Sequence, residues 1–266
     1  MNTPTFACPD AWLAALSPAA FAEPTWYAPS TWVQHAPFLF WLIETQRPRN
    51  FVELGSHFGY SFFAACQQVS ASGLDTQCTA IDTWSGDEHA GYYSDSVFGH
   101  VSKHAAAHYA GFASLKRMTF DAALADVAPG SIDLLHIDGR HFYDDVKHDF
   151  ESWLPKVATQ GIVLFHDTQV RERGFGVHQL WSEIARAYPS FEFRHGHGLG
   201  VIAVGGVPRS MAPFFALVKD DVAVANVRAA YERLGHGLEA PAKAGRHAFK
   251  SGFGARARRA LARLTP

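Results

Sequence analysis

Residues 51–61 read FVELGSHFGYS and decide the fold. Phe51, Val52 and Leu54 make an apolar strand end, Gly55 permits a tight turn and close backbone approach to a ligand, and Gly59 lets the next helix pack closely on the strand. A turn of this kind leaves free helix N–H groups facing a bound ligand. Glu53 discriminates among ligands. A carboxylate at the carboxyl end of the strand repels phosphate but accepts hydrogen bonds from an ammonium group, which favours an amino-acid-bearing nucleoside over a dinucleotide. The glycine spacing alone equally fits a glycine-rich turn in any α/β domain.

Residues 78–82 (CTAID) read as a second short strand ending in a carboxylate, about a helix-length further on, and this places Asp82 to accept the two hydroxyls of a ribose. With both blocks in view, the chain resembles the class I S-adenosylmethionine-dependent methyltransferases, and among them the metal-assisted O-methyltransferases of the catechol and macrolide-sugar type. The shared motif is E-L-G-x-x-x-G-Y-S followed by an acidic residue after the second strand. Glu53, Leu54, Gly55, Gly59, Tyr60, Ser61 and Asp82 match it in place. The resemblance implies S-adenosyl-L-methionine as cofactor, its amino group on Glu53 and its methionine tail among Gly55, Ser56, His57, Gly59, Tyr60 and Ser61. Asp82 would take the ribose, Thr83 or Trp84 the adenine, and Asp121 and Asp138 complete the expected cofactor set.

Two further blocks end in carboxylates. Residues 132–149 (IDLLHIDGRHFYDDVKHD) give an apolar strand to Ile137, then Asp138, then a helix from Tyr143; residues 161–168 (GIVLFHDT) give another strand ending at Asp167. Carboxylates at the carboxyl ends of neighbouring parallel strands converge on the crevice where α/β sheets bind ligands, and two such oxygens can hold a Mg²⁺-like hard cation. His141 follows Asp138 by three residues, where D-x-x-H resembles the general-base position of metal-dependent sugar O-methyltransferases. A hydroxyl must lose its proton as its oxygen attacks a methyl group, and an imidazole with a pKa of about 6.5 can take it. A cation on the same oxygen would assist. Asp138 and Asp167 are thus expected as catalytic and metal-binding residues with His141. The residues also allow Asp138 to serve only the cofactor and His141 only to cap the following helix. The family's third oxygen ligand is Asp or Asn; here Thr168, a weaker ligand, stands in that place.

The rest of the chain reads as one doubly wound α/β sheet. Strands are expected at 51–54, 78–82, 114–119, 132–137, 161–165, 191–194 and 200–204, with helices at 32–46, 61–70, 94–109, 121–127, 143–154 and 177–188. This alternation implies right-handed crossovers and a seven-stranded, mostly parallel sheet. The last two strands, joined through HGHGL, read as an antiparallel edge hairpin, which a dinucleotide-binding fold lacks. We divide the chain into an aromatic and proline-rich extension (1–30), a cofactor-binding domain (31–206), a helical appendage (207–240) and a basic tail (241–266).

With 48% hydrophobic and 18% charged residues in 266, a large core is available and global disorder is excluded. A net charge of −2 argues against a general nucleic-acid binder. Three cysteines without a C-x-x-C read as reduced thiols. No apolar run approaches about 18 residues and no signal peptide is visible, so a cytoplasmic enzyme is expected. After Glu239 the chain holds only basic charges, suited to docking on an anionic membrane or a partner enzyme, or to a solvated tail.

Residues 83–95 (TWSGDEHAGYYSD) start at the cofactor pocket and are expected either to place Asp87, His89, Tyr92 and Tyr93 toward an acceptor or to form a plain surface loop; residues 168–176 (TQVRERGFG) are expected to form a lid, with Arg171 and Arg173 either binding an acidic group or solvated. Together with HGHGLGV at 195–201, these segments resemble a methyltransferase subgroup found alone or fused to bacterial glycosyltransferases. That implies a sugar or other small-molecule hydroxyl as acceptor, a role in glycan or polysaccharide building, and a glycosyltransferase partner; a homo-oligomer is compatible with it. His195 and His197 fit either an acceptor contact or an edge hairpin, and the His100, His104 and His108 stripe reads as packing. A noncatalytic glycan-assembly partner retaining the fold is the alternative from another class. An NAD(P) oxidoreductase is disfavoured by Glu53 and the terminal hairpin.

Overall fold

The computed structural model describes residues 11–245; Cys8 and the basic tail beyond residue 245 lie outside them. Seven strands form one sheet: β1 (Asn50–Leu54), β2 (Gln77–Asp82), β5 (Ala113–Arg117), β6 (Ile132–Ile137), β7 (Val157–His166), β8 (Ser190–Phe193) and β9 (Leu199–Val204). Their order is β5-β2-β1-β6-β7-β9-β8. The pairs from β5 to β7 are parallel, whereas β9 runs antiparallel to both β7 and β8. This is the expected doubly wound sheet, and its hairpin is inserted so that β9, not β8, borders β7.

α1 (Ala36–Gln46) leads into β1, and the crossovers are α2 (Tyr60–Ala71), α3 (Ser96–His108), α4 (Phe120–Ala123), α5 (Tyr143–Trp153) and α6 (Val177–Ala187). A two-strand ribbon, β3 (Gly86–Asp87) with β4 (Gly91–Tyr92), was not anticipated from sequence. α7 (Ala212–Ala216) and α8 (Asp221–Gly237) follow the sheet. Two hydrophobic cores flank it. Successive side chains of a strand face opposite sides, so Phe51, Leu134, Ile162 and Leu164 join one core with α1, α2 and the terminal segments. Val52, Leu54, Leu135, Val163 and Phe165 join the other with α5 and α6. Ala15, Ala19, Tyr231 and Leu238 belong to the first core, so the chain on either side of the sheet packs into the same interior.

The same alternation puts Glu53, His136 and His166 on the α1 side of the sheet, among apolar neighbours. Glu53 and His136 are direct register partners across β1 and β6. The HGHG turn before β9 lies against the end of β7, since Asp167 N–H donates to Gly198 O (3.1 Å) and Gln169 N–H to His197 O (2.8 Å).

Candidate active site

The loop from β1 to α2 is shaped by three features. Gly55 sits at φ +85°, where a Cβ would come within 2.1 Å of the Asp138 carbonyl oxygen. Gly59, at φ +77°, ends the turn just before α2. Asp82 Oδ2 accepts the N–H groups of Ser56 and His57, both at 2.9 Å, and its Oδ1 accepts Trp84 N–H at 2.6 Å. The carboxylate expected at the ribose therefore also holds the turn in shape.

Glu53 lies beneath that turn. It is fully buried, with Oε1 accepting Ser56 Oγ–H (2.8 Å) and Oε2 accepting from His136 Nδ1 (2.9 Å). The indole of Trp32 donates to His136 Nε2 at 3.0 Å. An indole N–H only donates, so Nε2 is the accepting nitrogen and Nδ1 carries the proton given to Glu53. A Glu–His–Trp chain thus ties β1 and β6 to the N-terminal segment.

Two cavities open at the carboxyl ends of the strands. The smaller, about 230 Å³, is bounded by Asp82, Thr83, Tyr93, Thr119, Phe120 and Arg140. The larger, about 390 Å³, is bounded by Thr31, Ser56, Tyr60, Ser61, Asp167, Arg173, Phe175 and His197. Gly55, His57, Ala90, Asp138 and His141 line both, so Asp138 and His141 stand at their seam. Of the expected cofactor set, Gly55, Ser56, His57, Tyr60, Ser61, Asp82, Thr83 and Asp138 face one cavity or the other. Glu53 and Trp84 are under the floor instead; Trp84 donates to His57 O (2.9 Å) and packs on Phe98. Asp121 lines neither cavity. Thr119 caps α4 by accepting Ala122 N–H (3.3 Å), which turns Asp121 outward to pair with His148 at 2.8 Å.

At the seam, His141 Nε2 lies 2.9 Å from Asp167 Oδ2 and 3.5 Å from Asp138 Oδ1. His166 Nδ1 lies 3.3 Å from Asp138 Oδ1 and 3.5 Å from Asp167 Oδ2, and His197 Nδ1 is 3.1 Å from Asp167 Oδ1. Asp138, His141 and Asp167 bring their donor atoms within 4.8 Å of one another. Burial works against charge on both carboxyls, but the surrounding histidines, His166 first, hold each below the usual carboxylate range. Burial likewise opposes the His141 proton, yet its hydrogen bonds to Asp138 and Asp167 outweigh that and carry it up to about 9. His141 therefore keeps its proton at neutral pH until another positive charge shares the two carboxylates.

Non-glycine residues in the left-handed region cluster here: His57 (φ 49°), Trp84 (51°), Asp167 (64°), Arg173 (55°) and His197 (73°). Held backbone strain concentrates at functional sites. The ring of Phe175 stacks on His141 (4.5 Å, 19°), and His89 meets the same imidazole edge-on at 5.2 Å. The ribbon and the 168–176 segment clasp each other. Arg173 Nη2 donates to the carbonyls of Glu88 (3.1 Å) and His89 (3.0 Å), and His89 Nε2 donates to Arg173 O (2.9 Å). Arg171 is turned to the Thr168 and Val170 carbonyls. His136, His166, Trp32 and Phe175 were not singled out from sequence. Two of them carried a signal, because a histidine interrupts the otherwise apolar runs of β6 and β7 just before each terminal carboxylate.

The sheet order, the antiparallel β9 and the glycine turn after β1 define a class I methyltransferase fold. A Staphylococcus aureus structure provisionally assigned as a caffeoyl-CoA O-methyltransferase superposes with a TM-score of 0.51 at 18% identity, covering 64% of this chain and 82% of that one. The cofactor-bound Rv0187 from MTB superposes at 0.50 with 14% identity, covering 76% and 93%. More specifically, residues 52–168 match the family model of a methyltransferase domain. The uncharacterized protein y4gI of Sinorhizobium fredii is 48% identical over 201 residues, which is 75% of this chain but 22% of that protein. The chain therefore spans about a fifth of the length of this curated relative. Among the described residues no helix is long and apolar enough to cross a membrane.

Proposed function

We propose that the protein transfers the methyl group of S-adenosylmethionine to a hydroxyl of a small acceptor, with His141 receiving the hydroxyl proton. The observation that carries this reading is the seam: two cavities that meet at Asp138 and His141, one suited to an adenosine and one to a methionine tail with an acceptor beyond it. Asp82 and Thr83 offer oxygens for the ribose, and Phe120 and Tyr93 offer rings for the adenine. The open N-terminus of α2 beside Ser61 suits the methionine carboxylate. Glu53 supports this cradle from below through Ser56 and His136.

In this reading the acceptor oxygen attacks the methyl carbon, the carbon–sulfur bond breaks to leave the neutral thioether, and the hydroxyl proton passes to His141. Phe175 and His89 fix the plane of the imidazole, and closure of the ribbon on the 168–176 segment excludes water. A divalent cation shared by Asp138 and Asp167 would polarise the hydroxyl and relieve the pull of these carboxylates on the His141 proton. The donor chemistry fits a cation: two ionised carboxylates converge, though Thr168 supplies no third carboxyl or amide oxygen. A sugar acceptor, a glycan-building role, a glycosyltransferase partner and a cytoplasmic setting belong to the proposal on the strength of the subgroup resemblance.

Calorimetric titration tests the reading. The protein is expected to bind one S-adenosylhomocysteine per chain with micromolar affinity and neither NAD nor NADP. His141→Ala should keep that affinity and lose methyl transfer. Folded protein that ignores S-adenosylhomocysteine would refute it.

A further inference from the structure

Arg173 has no part in the reaction above, yet it lines the larger cavity together with Phe58, His89, Phe175 and His197. Its neighbours fix where along that cavity it stands. Phe175, two residues on, stacks on His141, and His89 meets the same imidazole edge-on. The guanidinium of Arg173 holds the His89 carbonyl through Nη2 at 3.0 Å. An acceptor that brings its hydroxyl to His141 thus lies along the wall made by Phe175 and His89, and Arg173 belongs to that wall. The methionine carboxylate of the donor has its own place at the N-terminus of α2.

The charge on this side chain has no counter-ion. Its Nη2 is taken by the Glu88 and His89 carbonyls, while Nε and Nη1 donate to no acceptor among the described residues, which also offer Arg173 no ion pair. The carboxylates close to it in the clasp are engaged or elsewhere. Glu88 takes Arg140 Nη2 at 3.2 Å, Asp87 Oδ1 accepts the N–H groups of His89 and Ala90 at 2.7 Å, and neither of them nor Glu172 lines the cavity. The two carboxylates that do line it, Asp138 and Asp167, lie at the seam and are already met by His141, His166 and His197. A guanidinium anchored through one nitrogen keeps its remaining N–H donors and its full charge for an oxyanion, and such charge-assisted bonds are about twice as strong as neutral ones.

We propose that the acceptor is a small hydroxylated ring carrying an oxyanion, a carboxylate or a phosphate, and that Arg173 binds this group. Phe58 and Phe175 supply apolar walls for the ring. The proposal rests on the methyl-transfer reading above and names the acceptor class of that same site.

The full chain, with and without saturating S-adenosylhomocysteine, is titrated with inorganic phosphate, glucuronate and glucose. In the S-adenosylhomocysteine complex, one of the two anions is expected to bind at least about tenfold tighter than glucose. Phosphate ahead of glucuronate identifies a phosphorylated acceptor, and the reverse order a carboxylated one. Arg173→Gln should weaken the preferred anion by about tenfold or more while leaving S-adenosylhomocysteine affinity unchanged, and Arg173→Lys, which keeps the charge, should recover part of the loss. Nitrogen-15 spectra of the wild type, which need no variant to fold, should show the Arg173 Nε resonance shifting with that anion and not with glucose. Anions that bind no better than glucose, anion affinity that survives Arg173→Gln, or an unmoved Arg173 resonance overturns the assignment. Loss of S-adenosylhomocysteine affinity in Arg173→Gln overturns it too, since the guanidinium would then serve the methionine carboxylate. Arg173-dependent anion binding by a chain that ignores S-adenosylhomocysteine counts against methyl transfer and leaves the anion site standing.

Discussion

Asp149 offers a test of how the site loop is supported. It lies in α5 beneath Gly139, where an added Cβ would stand 3.1 Å from its Oδ2, and among the described residues no hydrogen bond reaches its carboxyl. Burial, reinforced by the nearby Asp145 and Asp121 charges and only partly offset by His148, raises its pKa from 3.8 to about 7. The folded protein therefore binds this proton more tightly than the unfolded chain does. Stability is greatest below pH 4, falls as the pH rises toward 7, and is flat above that. At 1.36 kcal/mol per tenfold change in proton affinity, the full loss is about 4 kcal/mol, of which about 2.5 kcal/mol falls between pH 5 and pH 8. Asp149→Asn keeps the shape and removes the titration. Urea denaturation of both proteins at pH 5 and pH 8 should show the wild type losing about 2.5 kcal/mol more than the variant across that range, a midpoint difference of about 1 M. Parallel pH dependences, within about 0.5 kcal/mol, would refute an unsupported buried carboxyl under the loop.

Two further substitutions probe the floor of the site. Gly55→Ala forces a side chain into a left-handed position against the Asp138 carbonyl, so we expect a loss of about 2 kcal/mol or more together with at least tenfold weaker S-adenosylhomocysteine binding; unfolding curves and calorimetry that match the wild type would dismiss it. Trp32→Phe removes the donor to His136 Nε2 and leaves a buried acceptor, a cost of about 1–3 kcal/mol by urea denaturation. A change under about 0.5 kcal/mol would mean that the Glu53–His136 pair stands without the indole.

Most of the sheet was legible because parallel strands buried on both faces announce themselves as apolar runs, and the runs of β1, β2, β6 and β7 each end in a carboxylate or a glycine turn. The bounds of β6 were read to the residue, and β7 begins four residues earlier than its apolar part because Val157 already pairs with Ile132, ahead of a register shift that brings Ile162 opposite Leu134. The site was less legible where function depends on which face a side chain takes. Glu53 reads as a ligand contact from the motif, but its neighbour across the register is His136, and the pair consumes the carboxylate under the floor. His197 could not be assigned from HGHG, because only the bonding of that turn to Asp167 and Gln169 puts one histidine in the cavity and sends His195 toward His35. Asp121 went astray through a single local choice, the Thr119 cap.

The clasp between Arg173 and the ribbon is written in main-chain terms. The guanidinium holds the carbonyls of Glu88 and His89, and the return bond ends on the carbonyl of Arg173 itself, so two of the three contacts are indifferent to what side chain residue 88 or 89 carries. A roof fastened this way can exchange much of its inner lining without coming loose. The side chain at position 88 can therefore change without releasing the guanidinium, because what Arg173 grips is the backbone of the ribbon.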